Sequence, residues 1–206
     1  MSEVIKMARI RQVFQYKISL LGIRPEIWRR IQVPDDYTFW DLHVAIQDAM
    51  GWMDCHLHEF RIPNPATGAM MRIGIPDPDM MDENDMLPGW ELAIAEYYSM
   101  TNPKAHYEYD FGDGWEHVVE LEEILPKNPE LAYPICIAGE QACPPEDCGG
   151  DWGYQNLLRI LGDPDNDEYE SMLTWVGGKY DPNHFDVSEV NFDDPNERWE
   201  IAFCRE

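Results

Sequence analysis

The sequence predicts an α+β fold, in which helices pack on a mainly antiparallel sheet, and three observations support this prediction. Segments that alternate apolar and polar residues recur between turns that contain Gly or Pro, which is typical of antiparallel strands. Other segments carry apolar residues at helical spacing. The 206 residues, 44% of them hydrophobic and eight of them tryptophan, suffice for one sizeable core. We therefore expect a single compact domain over residues 1–206, with its core at about 10–195.

Two paired strands are predicted first. Residues 14–20 alternate apolar and polar side chains, and residues 27–33 do the same. Gly22 and Pro25 mark a turn between them, so we expect the second strand to run antiparallel to the first. Neighbouring side chains of the second strand, including its two consecutive arginines, then point to opposite faces.

A helix is predicted next. Thr38 and Asp41 resemble a capping box, with Asp in place of the usual Glu or Gln. Apolar residues then recur at helical spacing up to Met50, and Gly51 is typical of the residue that follows a helix. His43 lies beside this apolar stripe, and we expect it to be half-buried and hydrogen-bonded rather than a ligand.

The sequence patterns that predict helices and strands are weaker in the segments considered next. Residues 52–62 return to a strand pattern, whereas residues 63–106 are rich in Pro, Met and acidic residues and are predicted to form a loop-rich insertion. Three later helices are predicted, at residues 152–161, 165–175 and 195–203. Asp165 is expected to cap the second of these helices, and Trp199 is expected to anchor the third.

Residues 107–154 hold the greatest density of aromatic, acidic, histidine and cysteine residues in the chain. Apolar alternation on both sides of Gly112-Asp113-Gly114 predicts a hairpin with a tight turn. The hairpin brings carboxylates and a histidine near its tip. The candidate catalytic acids or bases of this region are Asp110, Asp113, Glu146 and Asp147.

Two sets of residues are candidate metal ligands. His56 and His58 lie on one face of a predicted strand, about 7 Å apart, which suits a shared metal but supplies too few ligands alone. Three cysteines follow at the spacing C-x6-C-x4-C, and with one histidine they give four soft ligands suited to zinc. The members of this second set are His117, Cys136, Cys143 and Cys148.

Each set also has a structural alternative. The histidines can form a buried polar pair, and the cysteines can pack as small hydrophobic side chains in a rigid Pro/Gly loop. Five cysteines without an apolar secretion segment favour reduced thiols or metal ligands over a disulfide framework. The N-terminal sequence predicts a cytoplasmic protein, and the chain has no apolar run of the roughly 18 residues that a membrane span needs.

The formal net charge of −25 disfavours direct contact with phosphate backbones. Residues 1–33 are the exception, with seven basic and two acidic residues. Two interpretations of this basic segment are open: it pairs with the acidic remainder of the chain, or it provides a local contact for nucleic acid. For the chain as a whole we expect a protein partner that docks on the acidic surface.

Five longer motifs are specific enough to indicate a family. They are Ile23-x-Pro25-x-Ile27-Trp28-Arg29-Arg30, Met50-Gly51-Trp52, His56-Leu57-His58-x-Phe60, Tyr109-Asp110-Phe111-Gly112-Asp113-x-Trp115-x-His117 and Ala142-Cys143-Pro144-Pro145-Glu146-Asp147-Cys148-Gly149-Gly150. With shorter matches, they make residues 10–195 resemble the plasmid pRiA4b ORF-3-like proteins. The resemblance implies a compact α+β domain in a bacterial and archaeal family that is often linked to plasmids or mobile elements and has no established activity.

Some members of that family carry a resolvase-like label, which implies a nucleophilic serine among several arginines. The serines of this chain have no such setting; they are Ser2, Ser19, Ser99, Ser171 and Ser188. The sequence therefore gives the label no support.

Three functions remain open at this point. The first is a non-enzymatic binding or accessory module associated with mobile DNA, which acts through a protein partner. The second is a metal-dependent hydrolase or nuclease with Glu146 or Asp147 as base. The side chains that would converge on its metal are His56, His58, Asp110, Asp113 and His117. The third is an acidic mimic that occupies a DNA-binding protein.

Overall fold

The computed structural model describes residues 11–76 and 86–203, and these form one eight-stranded sheet with five α-helices. The strands are β1 (Gln12–Leu20), β2 (Trp28–Pro34), β3 (His58–Pro63), β4 (Met70–Gly74), β5 (Leu87–Pro88), β6 (Lys104–Tyr109), β7 (Trp115–Pro126) and β8 (Ile135–Glu140). The helices are α1 (Phe39–Met50), α2 (Ile94–Tyr97), α3 (Gly150–Leu161), α4 (Tyr169–Trp175) and α5 (Pro195–Phe203). No helix in the described ranges is long and apolar enough to cross a membrane.

The strand order is β5-β4-β3-β6-β7-β1-β2-β8, and every neighbouring pair except β4 and β5 is antiparallel. This arrangement confirms the predicted α+β class with a mainly antiparallel sheet. β1 pairs with β2 as the alternation predicts, with Tyr16 opposite Ile31. Both side chains are fully buried in a core that also contains the apolar residues of α1.

The capping box of α1 is present as the sequence predicts. The Asp41 amide donates to the Thr38 hydroxyl (3.2 Å), and the Thr38 amide donates to the Asp41 carboxylate (2.8 Å). A cap of this kind stabilises a helix by about 1 kcal/mol. Gly51 ends the helix with a left-handed backbone (φ 88°), where glycine is favoured. Both ends of α1 are thus fixed locally, and with them the position of His43.

The two consecutive arginines of β2 point to opposite faces, as predicted. The buried Arg29 guanidinium donates to three main-chain carbonyl oxygens at 2.8–3.0 Å. On the other face Arg30 forms an ion pair with Glu122 (2.6 Å), and Lys17 of β1 pairs with Glu26 (2.9 Å). All three basic residues are therefore engaged within the chain, and Arg30 pairs with the acidic remainder as the first interpretation of the basic segment expects. Lys6 and Arg9 of that segment lie outside the described residues.

Three local expectations are corrected by the structure. β3 begins only at His58, because residues 52–57 hydrogen-bond to the β6–β7 hairpin and to the cysteine-containing loop instead of to a neighbouring strand. The described part of the segment 63–106 contains β4, β5, α2 and the first half of β6, so it is more regular than its composition predicts. Asp165 does not cap α4, which begins at Tyr169.

The predicted helices at residues 152–161 and 195–203 correspond to α3 and α5. α3 buries Leu157 and Ile160. Trp199 anchors α5 as expected, because its ring meets the Trp40 ring of α1 at a centroid distance of 5.4 Å. The end of the described chain is therefore packed against the first helix.

Candidate functional site

One end of the sheet brings together three segments that carry most of the predicted site residues. They are residues 52–57 before β3, the β6–β7 turn at residues 110–114, and the cysteine loop at residues 141–149. Trp52 Nε1 donates to the Pro144 carbonyl (2.9 Å), and the Asp110 amide donates to the Leu57 carbonyl (2.9 Å). These bonds hold the three segments in contact, although 92 residues separate Trp52 from Pro144.

Three histidines form a sealed histidine group in the core, namely His43, His58 and His117. The His43 and His58 rings stack, with their centroids 3.4 Å apart and their planes within 10°. His43 Nδ1 lies 2.8 Å from the Tyr107 hydroxyl, and its Nε2 lies 2.7 Å from the Asp54 carboxylate. His43 is hydrogen-bonded as expected, but it is fully buried rather than half-buried.

Burial lowers the pKa of two histidines of this group, His58 and His117. It lowers the pKa of His58 well below the usual range, and the neighbouring His43 lowers it further. Burial also lowers the pKa of His117 to about 4, although main-chain hydrogen bonds with Tyr107 and Trp115 act in the opposite direction. His58 and His117 are therefore uncharged at neutral pH.

A fourth histidine, His56, forms an open group with Asp110 and Asp147. Its Nε2 lies 3.0 Å from Asp147 Oδ1 and 3.6 Å from Asp110 Oδ2. Within residues 11–76 and 86–203, this is the only set of three or more His, Cys, Asp or Glu side chains whose ligand atoms all lie within 4.8 Å of one another. The side chains of His56 and Asp147 are 30% and 71% exposed, so the group is open to solvent.

Turn geometry directs both carboxylates of the open group towards His56. Asp110 and Asp147 have left-handed backbones (φ 54° and 57°), a conformation that Asp adopts more readily than most residues. Asp110 Oδ1 accepts hydrogen bonds from the amides of Gly112 (2.9 Å) and Asp113 (3.3 Å). Its other oxygen, Oδ2, is the one that faces the imidazole.

The two remaining candidate catalytic carboxylates act as structural ties. Glu146 accepts hydrogen bonds from the Tyr109 hydroxyl and from the Met53 amide (3.1 Å). Asp113 accepts a hydrogen bond from the Gly149 amide (3.0 Å). Burial raises the pKa of Tyr109 above its usual range, and Glu146 raises it further, so the phenol remains a donor. Both carboxylates therefore hold the cysteine loop against its neighbours.

The predicted zinc set of one histidine and three cysteines is not assembled as one group. Cys136 lies on β8 and Cys143 and Cys148 lie in the cysteine loop, whereas His117 belongs to the sealed histidine group. Burial raises the pKa of Cys136 and Cys143 above the usual range and that of Cys148 to about 12. These shifts favour protonated thiols at neutral pH, the form in which cysteines pack as small hydrophobic side chains.

Two cavities flank the open group. One, of about 440 Å³, is lined by His56, Asp54 and aromatic side chains of α1 and α5. The other, of about 230 Å³, is lined by Asp147 and by apolar side chains of α3 and α4. The open group therefore lies between two recesses in the surface rather than on a flat face.

Four large apolar side chains are exposed around the open group. These four, which we call the apolar rim, are Met53 (70% exposed), Leu57 (52%), Phe111 (48%) and Trp152 (85%). Met53 and Leu57 lie on the same segment as His56, Phe111 follows Asp110, and Trp152 lies in the first turn of α3. Single exposed apolar residues are ordinary, whereas several around one site are typical of a contact surface.

Two features of this region had no clear signal in the sequence. Asp54 belongs to no motif, and only its proximity to the His-x-His pair could have drawn attention to it. Trp152 lies in the first turn of a helix with an apolar stripe, and a tryptophan in that position is more often part of the core. Both assignments depend on contacts between distant segments, which sequence patterns do not report.

Residues 12–189 match the family model described as plasmid pRiA4b ORF-3-like protein. An uncharacterised protein of Sinorhizobium fredii, y4hQ, is 32% identical over 194 residues, which cover 92% of this chain and 95% of that protein. The crystal structure of MM3350, a protein of unknown function from Methanosarcina mazei Go1, is similar with a TM-score of 0.82 and 45% identity. That similarity covers 89% of this chain and 99% of the other.

Proposed function

The chain belongs to the plasmid pRiA4b ORF-3-like family, and from this premise we propose that it is a non-enzymatic binding module that docks a basic protein partner. The reported relatives are described as uncharacterised or of unknown function. The proposal therefore rests on the surface itself. The observation that carries it is the apolar rim.

Hydrogen bonds between the three segments bring the apolar rim to one place. The bond from the Asp110 amide to the Leu57 carbonyl positions Phe111 next to Leu57. The bond from the Gly149 amide to Asp113 positions the start of α3, and hence Trp152, next to the hairpin turn. Trp, Phe and Met are enriched in the buried centres of protein–protein interfaces. The apolar rim thus has the composition of an interface centre.

The charge around the apolar rim specifies the chemistry of the partner. Residues 52–57, 110–116 and 141–152 together contain seven carboxylates and no Lys or Arg. The whole chain has a formal net charge of −25. Complementary charge accelerates association and excludes like-charged partners. The matching partner is a basic protein surface that presents apolar side chains at its centre.

The second hypothesis is a metal-dependent hydrolase or nuclease, and two of its three proposed histidine ligands are buried in the core. His58 and His117 lie in the sealed histidine group, and Asp113 and Glu146 are structural ties. Nucleases also commonly bind phosphate through Arg or Lys side chains, and the three surrounding segments contain neither residue. These observations favour binding over hydrolysis.

Partner capture from a lysate of the source cells tests the proposal when matched variants are compared. The rim variant is Leu57→Ser with Trp152→Ser. The control variant is Met100→Ser with Leu131→Ser, which removes two other exposed apolar side chains (56% and 44% exposed) elsewhere on the surface. We expect wild type and control to retain one basic protein that the rim variant loses, with at least a tenfold lower affinity when that protein is purified, since interface centres carry about 2 kcal/mol or more per anchor.

Salt dependence and DNA competition complete this test. Binding is expected to weaken as salt rises through about 0.2 M, where the Debye length falls below about 8 Å. If the captured protein binds DNA and duplex DNA displaces this chain from it, the acidic-mimic hypothesis is correct instead. Equal capture by the rim and control variants, or capture of an acidic protein, contradicts the proposal.

A further inference from the structure

We propose that His56, Asp110 and Asp147 bind one divalent transition-metal ion, for which Zn²⁺ is the probe. The inference concerns the open group alone and does not depend on the protein partner proposed above. The open group shares His56 and Asp110 with the ligands of the hydrolase hypothesis, but it excludes His58, Asp113 and His117 and uses Asp147 as a ligand rather than as a base.

The spacing of the three side chains fits a shared ion. Zn²⁺ binds imidazole nitrogen and carboxylate oxygen at about 2.0–2.2 Å, so two ligands of a tetrahedral ion lie about 3.4 Å apart. His56 Nε2 lies 3.0 Å from the Asp147 carboxylate and 3.6 Å from the Asp110 carboxylate. These two distances bracket the value that a bound ion requires, and small side-chain movements suffice to admit it.

The donor set favours a transition metal over Mg²⁺ or Ca²⁺. Imidazole suits Zn²⁺ and its neighbours in the first transition row, whereas Mg²⁺ and Ca²⁺ take oxygen ligands almost entirely. Two carboxylates also match the charge of a divalent ion. The three segments around the open group carry no Lys or Arg that would compete for these carboxylates.

The exposure of the open group leaves part of the coordination sphere free. Structural zinc sites have four protein ligands, whereas sites that exchange ligands have three and an open position. The open group supplies three ligands, and the cavity of about 440 Å³ lined by His56 lies beside them. A water molecule would complete the coordination of an ion bound there, as in other zinc sites with three protein ligands.

The chain contains its own control for an ordinary histidine–carboxylate pair. His184 Nε2 lies 2.7 Å from the Glu189 carboxylate, and both side chains are more than half exposed. Among the described residues, no third ligand joins this pair to form a metal group. If an exposed histidine beside a carboxylate were sufficient to bind the metal, the His184–Glu189 pair would bind it too. His184→Gln would then reduce the amount of metal bound.

The experiment uses the untagged full chain, titrated with Zn²⁺ in competition with a chromogenic chelator. The variants are His56→Gln, Asp147→Asn, the control His184→Gln, and Cys148→Ser for the rival cysteine site. Substitution with Co²⁺ adds a spectroscopic readout, because thiolate ligands give strong charge-transfer absorption in the near ultraviolet and imidazole and carboxylate ligands do not. Circular dichroism checks that every variant is folded.

We expect one Zn²⁺ per chain, no thiolate band with Co²⁺, and unchanged affinity in His184→Gln and Cys148→Ser. His56→Gln and Asp147→Asn are expected to weaken binding at least tenfold, since loss of even an outer-shell partner costs about 10–100-fold. Substoichiometric binding, unchanged affinity in Asp147→Asn, or a loss confined to Cys148→Ser overturns the inference. A thiolate band with Co²⁺ does the same and assigns the metal to the cysteines.

Discussion

The sealed histidine group and the open group lie at the same end of the sheet, yet their histidines have opposite roles. His56 and His58 are separated by one residue. His58 is 2% exposed and stacks on His43, whereas the His56 side chain is 30% exposed and faces two carboxylates. The difference arises where β3 begins, because His58 is the first residue of the strand and His56 precedes it. The backbone around a histidine, rather than its residue type, decides whether it serves packing or chemistry.

The polar contacts of the two groups follow the same division. In the sealed group Tyr107 is the common partner: its hydroxyl contacts His43 Nδ1 and Gln47 Nε2, and its carbonyl contacts His117 Nδ1. These contacts stay within the core. In the open group one oxygen of Asp110 is used by the turn and the other remains for His56. The sealed group should therefore contribute stability, and the open group should contribute binding.

The largest expected effect comes from His43→Ala. The substitution removes the imidazole that contacts both the Tyr107 hydroxyl and the Asp54 carboxylate, and it opens a cavity beside His58. We expect the free energy of unfolding to fall by about 3 kcal/mol. His56→Ala is the matched control, with an expected change below about 1 kcal/mol because its ion pair is exposed. Urea unfolding followed by circular dichroism measures both, and equal losses would remove the distinction between the groups.

The second prediction concerns pH and His117. In the folded chain burial beside Tyr107 and Trp52 lowers the pKa of His117 to about 4, whereas in the unfolded chain the pKa is near 6.5. Between these values only the unfolded state binds the proton, so stability falls as the pH falls. The expected contribution between pH 7 and pH 5 is about 2 kcal/mol.

His117→Gln isolates this contribution from the carboxylates that also titrate in acid. The variant is expected to lose about 2 kcal/mol less stability than wild type when the pH is lowered from 7 to 5. Unfolding curves at the two pH values give the comparison. Identical losses in the two proteins would show that His117 is protonated in the folded state.

The third prediction concerns the tie between the cysteine loop and the hairpin. Glu146→Ala removes the acceptor of the Tyr109 hydroxyl and the Met53 amide, both at the junction of the three segments. We expect a loss of about 1–2 kcal/mol, as for other partly buried hydrogen bonds to a charged group. Glu116→Ala, which removes an exposed partner of Arg61, is expected to cost less than about 0.5 kcal/mol. Thermal unfolding of both variants measures the two losses of stability. Equal losses in Glu146→Ala and Glu116→Ala would contradict the prediction.

The smallest expected effect is that of Asp147→Asn in a metal-free buffer. The Asp147 side chain is 71% exposed, and its polar contact is with a histidine that is itself partly exposed. Its replacement should change the free energy of unfolding by no more than about 0.5 kcal/mol. Urea unfolding in the presence of a chelator provides the measurement. A loss above 1 kcal/mol would make Asp147 a structural residue and weaken its assignment as a ligand.

Local patterns in the sequence predicted much of this fold. The alternation of β1 and β2, the capping box of α1 and the Gly-Asp-Gly turn of the hairpin each depend on residues close together in the chain. The hairpin also places Asp110 and Asp113 near its tip as expected. These elements could be predicted because propensity, capping and turn chemistry agree with the final fold at each of them.

The division of the histidines could not be predicted in the same way. The His-x-His spacing places both rings on one face only if both residues belong to a strand. Here the residues before His58 stay outside β3. In that segment the Cys55 amide donates to the Tyr109 hydroxyl, which lies 54 residues further along the chain. The contact between His56 and Asp147 spans 91 residues. β4 and β5 pair with strands nearby in the chain, but they lie in a segment whose loop-like composition does not predict strands.

The most direct test of the account is a Zn²⁺ titration followed by NMR of the histidine side-chain nitrogens. The six histidines give separate imidazole signals, and His56→Gln assigns the signal of His56. The account predicts that Zn²⁺ shifts the Nε2 signal of His56 and leaves those of His43, His58 and His117 unchanged. A shift of His58 or His117, or no shift of His56 at stoichiometric Zn²⁺, would contradict the separation of a sealed histidine group from an open, metal-binding one.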